Sequence, residues 1–411
     1  MNTRGENCSQ PTVTIPTIRG MLILQVMSTT TTVGTVYGFS RLIETPESEA
    51  TRLPVALQCV LRQGVPALPL LEENNSAPYT PESFEVAGVD EGQLFNTLFD
   101  SMLKRKAGVM WKPQVKAWVL NSAVNIHKLT SSIANGSYSS RVPISIQIYY
   151  PKKRVVKAIP FRDRIWQGYL NDHYVYPYMT RSFVWGNMAS QYGKGTDEAR
   201  SLLKKYLWNF YTHYGTGGYV LQIDIHSYYQ SIPHDKALAL FKRKLPSFIF
   251  PYVEEILSVQ YPDSFYAGSQ MVQILGIAYL DELDHFIKER LHIRYYIRYQ
   301  DDFLLLSPSY STLSFALSEI EKRLSNLSLS LNYKKTHIQP ISHSILFLGF
   351  LWDLQKDGKI YQRINPKRMK EIYRRIRSHP DSLPSYISFL RKGKSNKIID
   401  RLLEEYNEKN Q

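Results

Sequence analysis

Two adjacent aspartates constrain this chain more than any other feature. They stand in Arg298-Tyr299-Gln300-Asp301-Asp302-Phe303-Leu304-Leu305-Leu306, after Ile293-Arg294-Tyr295-Tyr296-Ile297 and before an unbroken apolar run. Strand-forming residues on both sides of a polar tip predict a β-hairpin with both carboxylates in its tight turn. Two like charges side by side repel, so holding them in a partly buried place calls for a cation between or beside them. Magnesium, with its preference for hard oxygen ligands, fits that need. A bare Asp-Asp pair is more often a solvated turn, so its meaning depends on what else the chain supplies.

The chain supplies a third carboxylate. Tyr219-Val220-Leu221-Gln222-Ile223-Asp224-Ile225 reads as a buried strand that presents Asp224 at its end. A carboxylate in apolar surroundings is costly unless paired with a cation or a proton, which makes Asp224 the natural partner of Asp301 and Asp302. Taken alone, Asp224 could also be a strand-end cap. Helices are expected over 236–260, over 274–291 and over 312–324. The turn from Tyr266 to Gln273 precedes the second of these, and its Gly268 would let the backbone approach a bound base or sugar closely.

Charge decides what kind of partner the carboxylates serve. The 411 residues suffice for two or three domains and carry a net charge of +14. The first 90 residues hold five Arg, no Lys and nine acidic residues, so the remainder carries +18. A basic body in a chain with 29 Tyr and 17 Phe suits a polyanion whose bases can stack; a merely soluble basic enzyme is the plainer account. Helices are expected from Gly92 and over 113–133. Residues 144–160 then read as a β-hairpin with a Lys152-Lys153-Arg154 tip, and Arg162 and Arg164 open the next helix. Such side chains can hold phosphates by charge and forked donors, or simply pair on the surface, as Arg164 with Asp163. Gly193-Lys194-Gly195-Thr196 is not a nucleotide-hydrolase loop, because Met188 and Gly195 stand where Gly and Ser or Thr are required. It reads as a basic turn before a helix.

Other classes are excluded or left empty. Only Cys8 and Cys59 occur, so the basic body has no disulfide framework and no thiolate metal site. The run Met21–Met27 is shorter than the roughly 20 residues of a membrane span and lacks the flanks of a signal peptide. The expectation is a cytoplasmic protein without membrane contact. Residues 1–92, with their acidic cluster from Glu44 to Glu49, show no chemistry and are read as an accessory region. From Arg363 onward 13 basic and six acidic residues fall in helical segments suited to a duplex backbone or to a solvated tail.

The ordered set resembles the motifs of reverse transcriptases. Asp224 at a strand end, Gly268 to Gln273, Tyr299-Gln300-Asp301-Asp302, Lys334-Lys335-Thr336 and Phe347-Leu348-Gly349-Phe350 follow one another in that family's order across residues 95–360. The chain is most similar to compact bacterial enzymes of antiphage defence and of diversity-generating retroelements. Val272 and Gln191 depart from the latter and favour the defence type. The resemblance implies an α+β right-hand polymerase: an accessory region 1–92, fingers 93–215, a palm 216–360 with an antiparallel sheet packed on helices, and a short basic helical thumb 361–411.

It also implies RNA-directed DNA synthesis by two magnesium ions roughly 3.5–4 Å apart. Asp224 and Asp301 would bridge them, the Ile225 carbonyl would hold the nucleotide-side ion, and Asp302 would support the site. Lys335 would protonate the leaving pyrophosphate. Tyr229 would exclude a 2′-hydroxyl, and Lys153, Arg154, Arg162, Arg164 and Gln273 would hold the nucleotide. Gly268, Tyr299, Lys194, Leu348 and Gly349 would contact template or primer. The implied partners are an RNA template (a dedicated non-coding RNA), dNTPs and a DNA product, with room for an accessory protein or a second copy. Other readings are an RNA-directed RNA polymerase, template-independent or protein-primed synthesis, and a noncatalytic RNA binder on a polymerase scaffold.

Overall fold

The computed structural model describes residues 12–17, 20–31, 34–43, 90–149, 153–266, 268–393 and 396–410. It divides into two compact units, Met1–Tyr79 and Thr80–Gln411. In the first, β1 (Thr12–Thr17), β2 (Gly20–Thr31) and β3 (Gly34–Ile43) pair antiparallel in sequence order. Cys8, Cys59 and the Glu44–Glu49 cluster of the expected accessory region lie outside the described residues, as do Pro151 and Lys152 of the basic tip and Ala267 of the glycine turn.

The second unit opens with α1 (Glu91–Lys106), which buries Leu94, Leu98 and Met102. Glu91 in its first turn and Lys104, Arg105 and Lys106 in its last complement the helix dipole. The helix expected over 113–133 is divided at Asn121 into α2 (Pro113–Leu120) and α3 (Ser122–Ala134). The basic hairpin forms as expected, β4 (Ile144–Ile148) against β5 (Arg154–Ala158), and leads into α4 (Phe161–Leu170). After a π-helical turn come α5 (Tyr176–Thr180) and α6 (Thr196–Tyr214).

β6 (Tyr219–Asp224) is followed by α7 (Tyr228–Ser231), α8 (His234–Lys244) and α9 (Phe250–Gln260). Pro246, which cannot donate to a preceding turn, divides the expected 236–260 helix into the last two. The single helix expected over 274–291 is likewise α10 (Gln270–Ala278), α11 (Asp281–His285) and a π-helical turn, Phe286–Arg290. Then come β7 (Tyr295–Tyr299), β8 (Asp302–Ser307), α12 (Tyr310–Asn326) and β9 (His337–Pro340).

The four strands form an antiparallel sheet in the order β7-β8-β6-β9. Its period-2 alternation explains why Phe303–Leu306 is apolar throughout. Leu221, Ile223, Tyr296, Phe303 and Leu305 face one core, while Val220, Tyr295, Ile297, Leu304 and Leu306 face a second. A sheet covered on both faces has no polar side except at its ends, and the carboxylates are at one end.

The second core continues into β10 (Ile345–Phe347), β11 (Phe350–Leu354) and β12 (Ile360–Ile364), a separate antiparallel sheet. β12 lies across the expected palm–thumb division at 360–361, so the basic helical tail begins after it with α13 (Pro366–Ser378), α14 (Leu383–Lys392) and α15 (Asn396–Asn410). Among the described residues no helix is long and apolar enough to cross a membrane.

Candidate active site

Strand pairing brings the three aspartates together. Asp224, the last residue of β6, is the register partner of Asp302, the first of β8. Asp301 precedes it in the two-residue turn from Tyr299, where Gln300 takes a left-handed φ of 57°. Asp302 therefore belongs to the strand and only Asp301 to the turn. Burial raises the pKa of both, and the neighbouring carboxylates raise it further: Asp302, facing Asp301 and Asp224, is pushed up to about 7.

Asp224 is buried and engaged on both oxygens. Asn332 Nδ2 donates to Oδ1 at 2.7 Å, and Lys335 Nζ lies 2.5 Å from Oδ2. Burial pulls the Lys335 pKa down, but the Asp224 bond and the three surrounding carboxylates outweigh it and the ammonium is held charged. Among the described residues no three carboxylate, imidazole or thiolate side chains already converge as a metal cage. The donor chemistry nevertheless fits a divalent cation: three hard oxygen donors crowd one sheet end, and a lysine stands at the oxygen a cation would share. Ile225, the next residue, pairs with Leu331.

Behind the turn lies a fully buried ion pair that sequence reasoning did not assign. Arg298 Nη2 lies 2.5 Å from Asp284 Oδ2, and Tyr296 donates to the same carboxylate at 2.5 Å. Arg298 also donates to the carbonyl oxygens of Ile277 (2.8 Å) and Gln300 (3.1 Å), tying the turn that carries Asp301 to α10 and α11. A charged residue inside an apolar strand was the available signal; its partner on a helix was not. Arg298→Ala is expected to destabilise the fold by about 3–5 kcal/mol in urea denaturation, because it leaves Asp284 buried and unpaired. A loss below about 1 kcal/mol would show that the pair does not hold the turn.

The remaining expected residues separate into groups. Tyr229 is half-buried on α7 and donates to Gln300 Oε1 at 3.0 Å, while Gln300 Nε2 donates to Ser190 Oγ at 3.0 Å. Lys153 and Arg154 are exposed at the turn end of the basic hairpin, where Arg154 pairs with Ile148. Arg162, rather than Arg164, pairs with the buried Asp163 (2.8 Å) and also bonds the Ser139 carbonyl. Arg164, Gly268 and Gln273 line one cavity. Gly268 serves a different close approach from the one expected: a Cβ there would stand 2.6 Å from the Lys157 carbonyl oxygen of β5.

Lys194 Nζ donates to the Asn187 carbonyl at 2.9 Å and lies over the Trp185 ring. Tyr299 is half-buried at the end of β7. Leu348 and Gly349, both with positive φ (49° and 84°), form the two-residue turn between β10 and β11. Gln222, on the same strand face as Asp224, donates to the Leu346 carbonyl at 2.7 Å and draws that hairpin to the carboxylate side of the sheet.

Residues 182–351 match the family model of the reverse transcriptase (RNA-dependent DNA polymerase). The matched segment is about two fifths of the chain. With the antiparallel sheet, the match assigns the right-hand polymerase fold. Reverse-transcriptase domains generally use divalent metal ions, and the three aspartates all fall within the matched residues.

No curated protein matches the chain. Among solved structures, telomerase from Candida albicans with a TWJ fragment of telomeric RNA is 12% identical, with a TM-score of 0.42 over 62% of this chain and 51% of that one. Apo telomerase from Candida tropicalis is 11% identical, with a TM-score of 0.40 over 60% and 53%. A form truncated from the C-terminal domain gives 12%, 0.40, 59% and 60%. The chain thus spans about half to three-fifths of the length of these structures.

Proposed function

We propose that this chain is a reverse transcriptase that makes DNA on an RNA template, a dedicated non-coding RNA, and that it serves bacterial antiphage defence. The observation that carries the catalytic reading is the Asp224–Asp302 register beside Asp301, inside the reverse-transcriptase match. The defence role is supported by the resemblance, with Val272 and Gln191 departing from the diversity-generating pattern.

Asp224, Asp301, Asp302 and the Ile225 carbonyl would hold two magnesium ions, which when bound supply Lewis-acid stabilisation of the attacking and leaving oxygens. The protein's own part is positional and protonic. Asn332 fixes the Asp224 carboxylate, and Arg298 fixes the height of the turn that carries Asp301. Lys335, held charged at the carboxylate cluster, would be the proton donor to pyrophosphate. Tyr229 meets the incoming sugar, and Lys153, Arg154 and Arg162 offer charge to phosphates, as Arg164 and Gln273 do from their shared cavity. Gly268, Tyr299, Lys194, Leu348 and Gly349 border the path of template and primer.

Primer extension on RNA by the full chain is expected to stop with EDTA and resume with excess magnesium, using dNTPs in preference to rNTPs. Preference for rNTPs would turn the reading to an RNA-directed RNA polymerase. Failure on every primer, with or without co-expressed RNA, would leave a noncatalytic RNA binder. Sequencing the nucleic acid that copurifies would name template and product together.

A further inference from the structure

Phe350 opens β11 directly after the Leu348-Gly349 turn and is fully buried. The Arg200 guanidinium of α6 lies 4.8 Å from the centroid of its ring, and the Phe389 ring of α14 lies 4.8 Å away, tilted by 39°. Arg200 is itself buried, and laying its weakly hydrated plane on an aromatic ring makes that burial tolerable. Phe389 comes from the tail beyond the matched residues 182–351. It also covers the turn, since a Cβ at Gly349 would stand 3.3 Å from its ring. The tail holds Gly349 a second time: the Gly349 carbonyl accepts from the amide of Asn365, the N-cap of α13, at 3.2 Å.

The two helices that supply these groups are also joined outside the aromatic contact. Asp197, in the first turn of α6, pairs with Arg200 and accepts from Lys392 Nζ of α14 at 2.7 Å on both oxygens. Asp197 and Arg200 stand at i and i+3 on α6, as Phe389 and Lys392 do on α14, so each pair shares one helix face and the helices meet at two points. An exposed ion pair adds little by itself, so the buried stack supplies the hold and the ion pair fixes which faces meet. In the strand before the turn, Gln222 of β6 holds the Leu346 carbonyl. The Leu348-Gly349 turn is therefore tied at once to the strand that carries Asp224 and to the helical tail.

We propose that Arg200 and Phe389 are positioning residues for the primer end, acting through Phe350 to set the Leu348-Gly349 turn against the carboxylates. The proposal rests on the polymerase reading, which puts that turn beside the primer. Neither side chain touches the reacting atoms. What they control is whether the primer 3′-hydroxyl is held in line with the incoming phosphate, and a misplacement of about 1 Å caused by a remote change can cost about 10²-fold in rate. The tail then governs the rate of addition as well as offering charge to a duplex.

The test uses the full chain carrying Phe389→Ala, with Phe389→Leu and Arg200→Lys as milder variants. On each folded protein, kcat for primer extension on RNA is measured beside the affinity for the primer–template duplex and amide hydrogen exchange in residues 345–352 against 219–224. Phe389→Ala is expected to lower kcat about tenfold while duplex affinity stays within about threefold. Exchange at 345–352 should quicken by about 2–10-fold, the worth of one aromatic contact, with 219–224 unchanged. Phe389→Leu, which keeps apolar bulk over Gly349, recovers part of kcat. Arg200→Lys, which keeps the charge and loses the plane, gives the same pattern at smaller size. Unchanged kcat, or a loss confined to duplex affinity, in folded Phe389→Ala protein overturns the proposal; should that variant fail to fold, the same outcomes are read on Arg200→Lys. A parent chain that extends no primer, while Phe389→Ala still quickens exchange at 345–352 alone, retains the hold on the turn and loses the polymerase reading.

Discussion

Asp301→Ala combined with Asp302→Ala lowers magnesium-dependent primer extension on RNA by about 10³-fold or more, while the folded chain becomes no less stable. The first half follows from the geometry. These two carboxylates and Asp224 are the acidic side chains gathered at the end of the β7-β8-β6-β9 sheet. Cation stabilisation of the attacking and leaving oxygens supplies several kcal/mol, and about 4 kcal/mol corresponds to 10³ in rate. The second half follows from electrostatics. Burial and mutual repulsion already raise both carboxyl pKa values in the absence of a cation, so removing them relieves an unfavourable term. The paired measurement separates catalysis from folding: lost extension with a kept or raised melting temperature is the expected result. Undiminished incorporation by the double variant would remove these residues from the mechanism. Lost extension accompanied by unfolding would make them structural.

The parts legible beforehand share a physical reason: their information is local. The Asp-Asp hairpin shows as strand-forming residues around a polar tip, and Asp224 shows as the one charge closing an apolar strand. What escaped was non-local or weakly patterned. β9 is His-Ile-Gln-Pro and β12 is Ile-Tyr-Gln-Arg-Ile, edge strands too short and polar to stand out from turns. The helix expected over 274–291 is apolar enough to read as continuous, yet it breaks after Ala278 so that Asp284 can meet Arg298. Asn332 looks like an ordinary turn residue until the fold sets its amide on Asp224. Arg200 reads as one more cation of a solvated helix until the fold lays it over Phe350.

Tyr229→Ala is expected to lower discrimination against ribonucleotides by about 10–100-fold in the ratio of kcat/KM for dNTP and rNTP, the scale on which an apolar surface senses one added group. The ring can exclude a 2′-hydroxyl only if it is prevented from moving aside, and two contacts hold it, the second of them braced by a further hydrogen bond. Gly276 of α10 makes room for it, since a Cβ there would stand 2.7 Å from the ring. The Tyr229 hydroxyl donates to Gln300 of the catalytic turn, and Gln300 is in turn braced on Ser190. Both Gln300 and Ser190 have left-handed φ, 57° and 51°, a conformation that non-glycine residues adopt at some cost and that here points one side chain at the other. Gln300→Ala should therefore loosen the ring without removing it, and lower discrimination by about 2–10-fold, the worth of one hydrogen bond. Tyr229→Phe should do the same, and the double variant Tyr229→Phe with Gln300→Ala should be no worse than either alone, because both break one bond. If Tyr229→Ala leaves the ratio unchanged, sugar selection lies elsewhere. If Tyr229→Ala relaxes it but Tyr229→Phe and Gln300→Ala do not, the ring is held by Gly276 and its packing, and the hydrogen-bonded bridge to the catalytic turn is incidental.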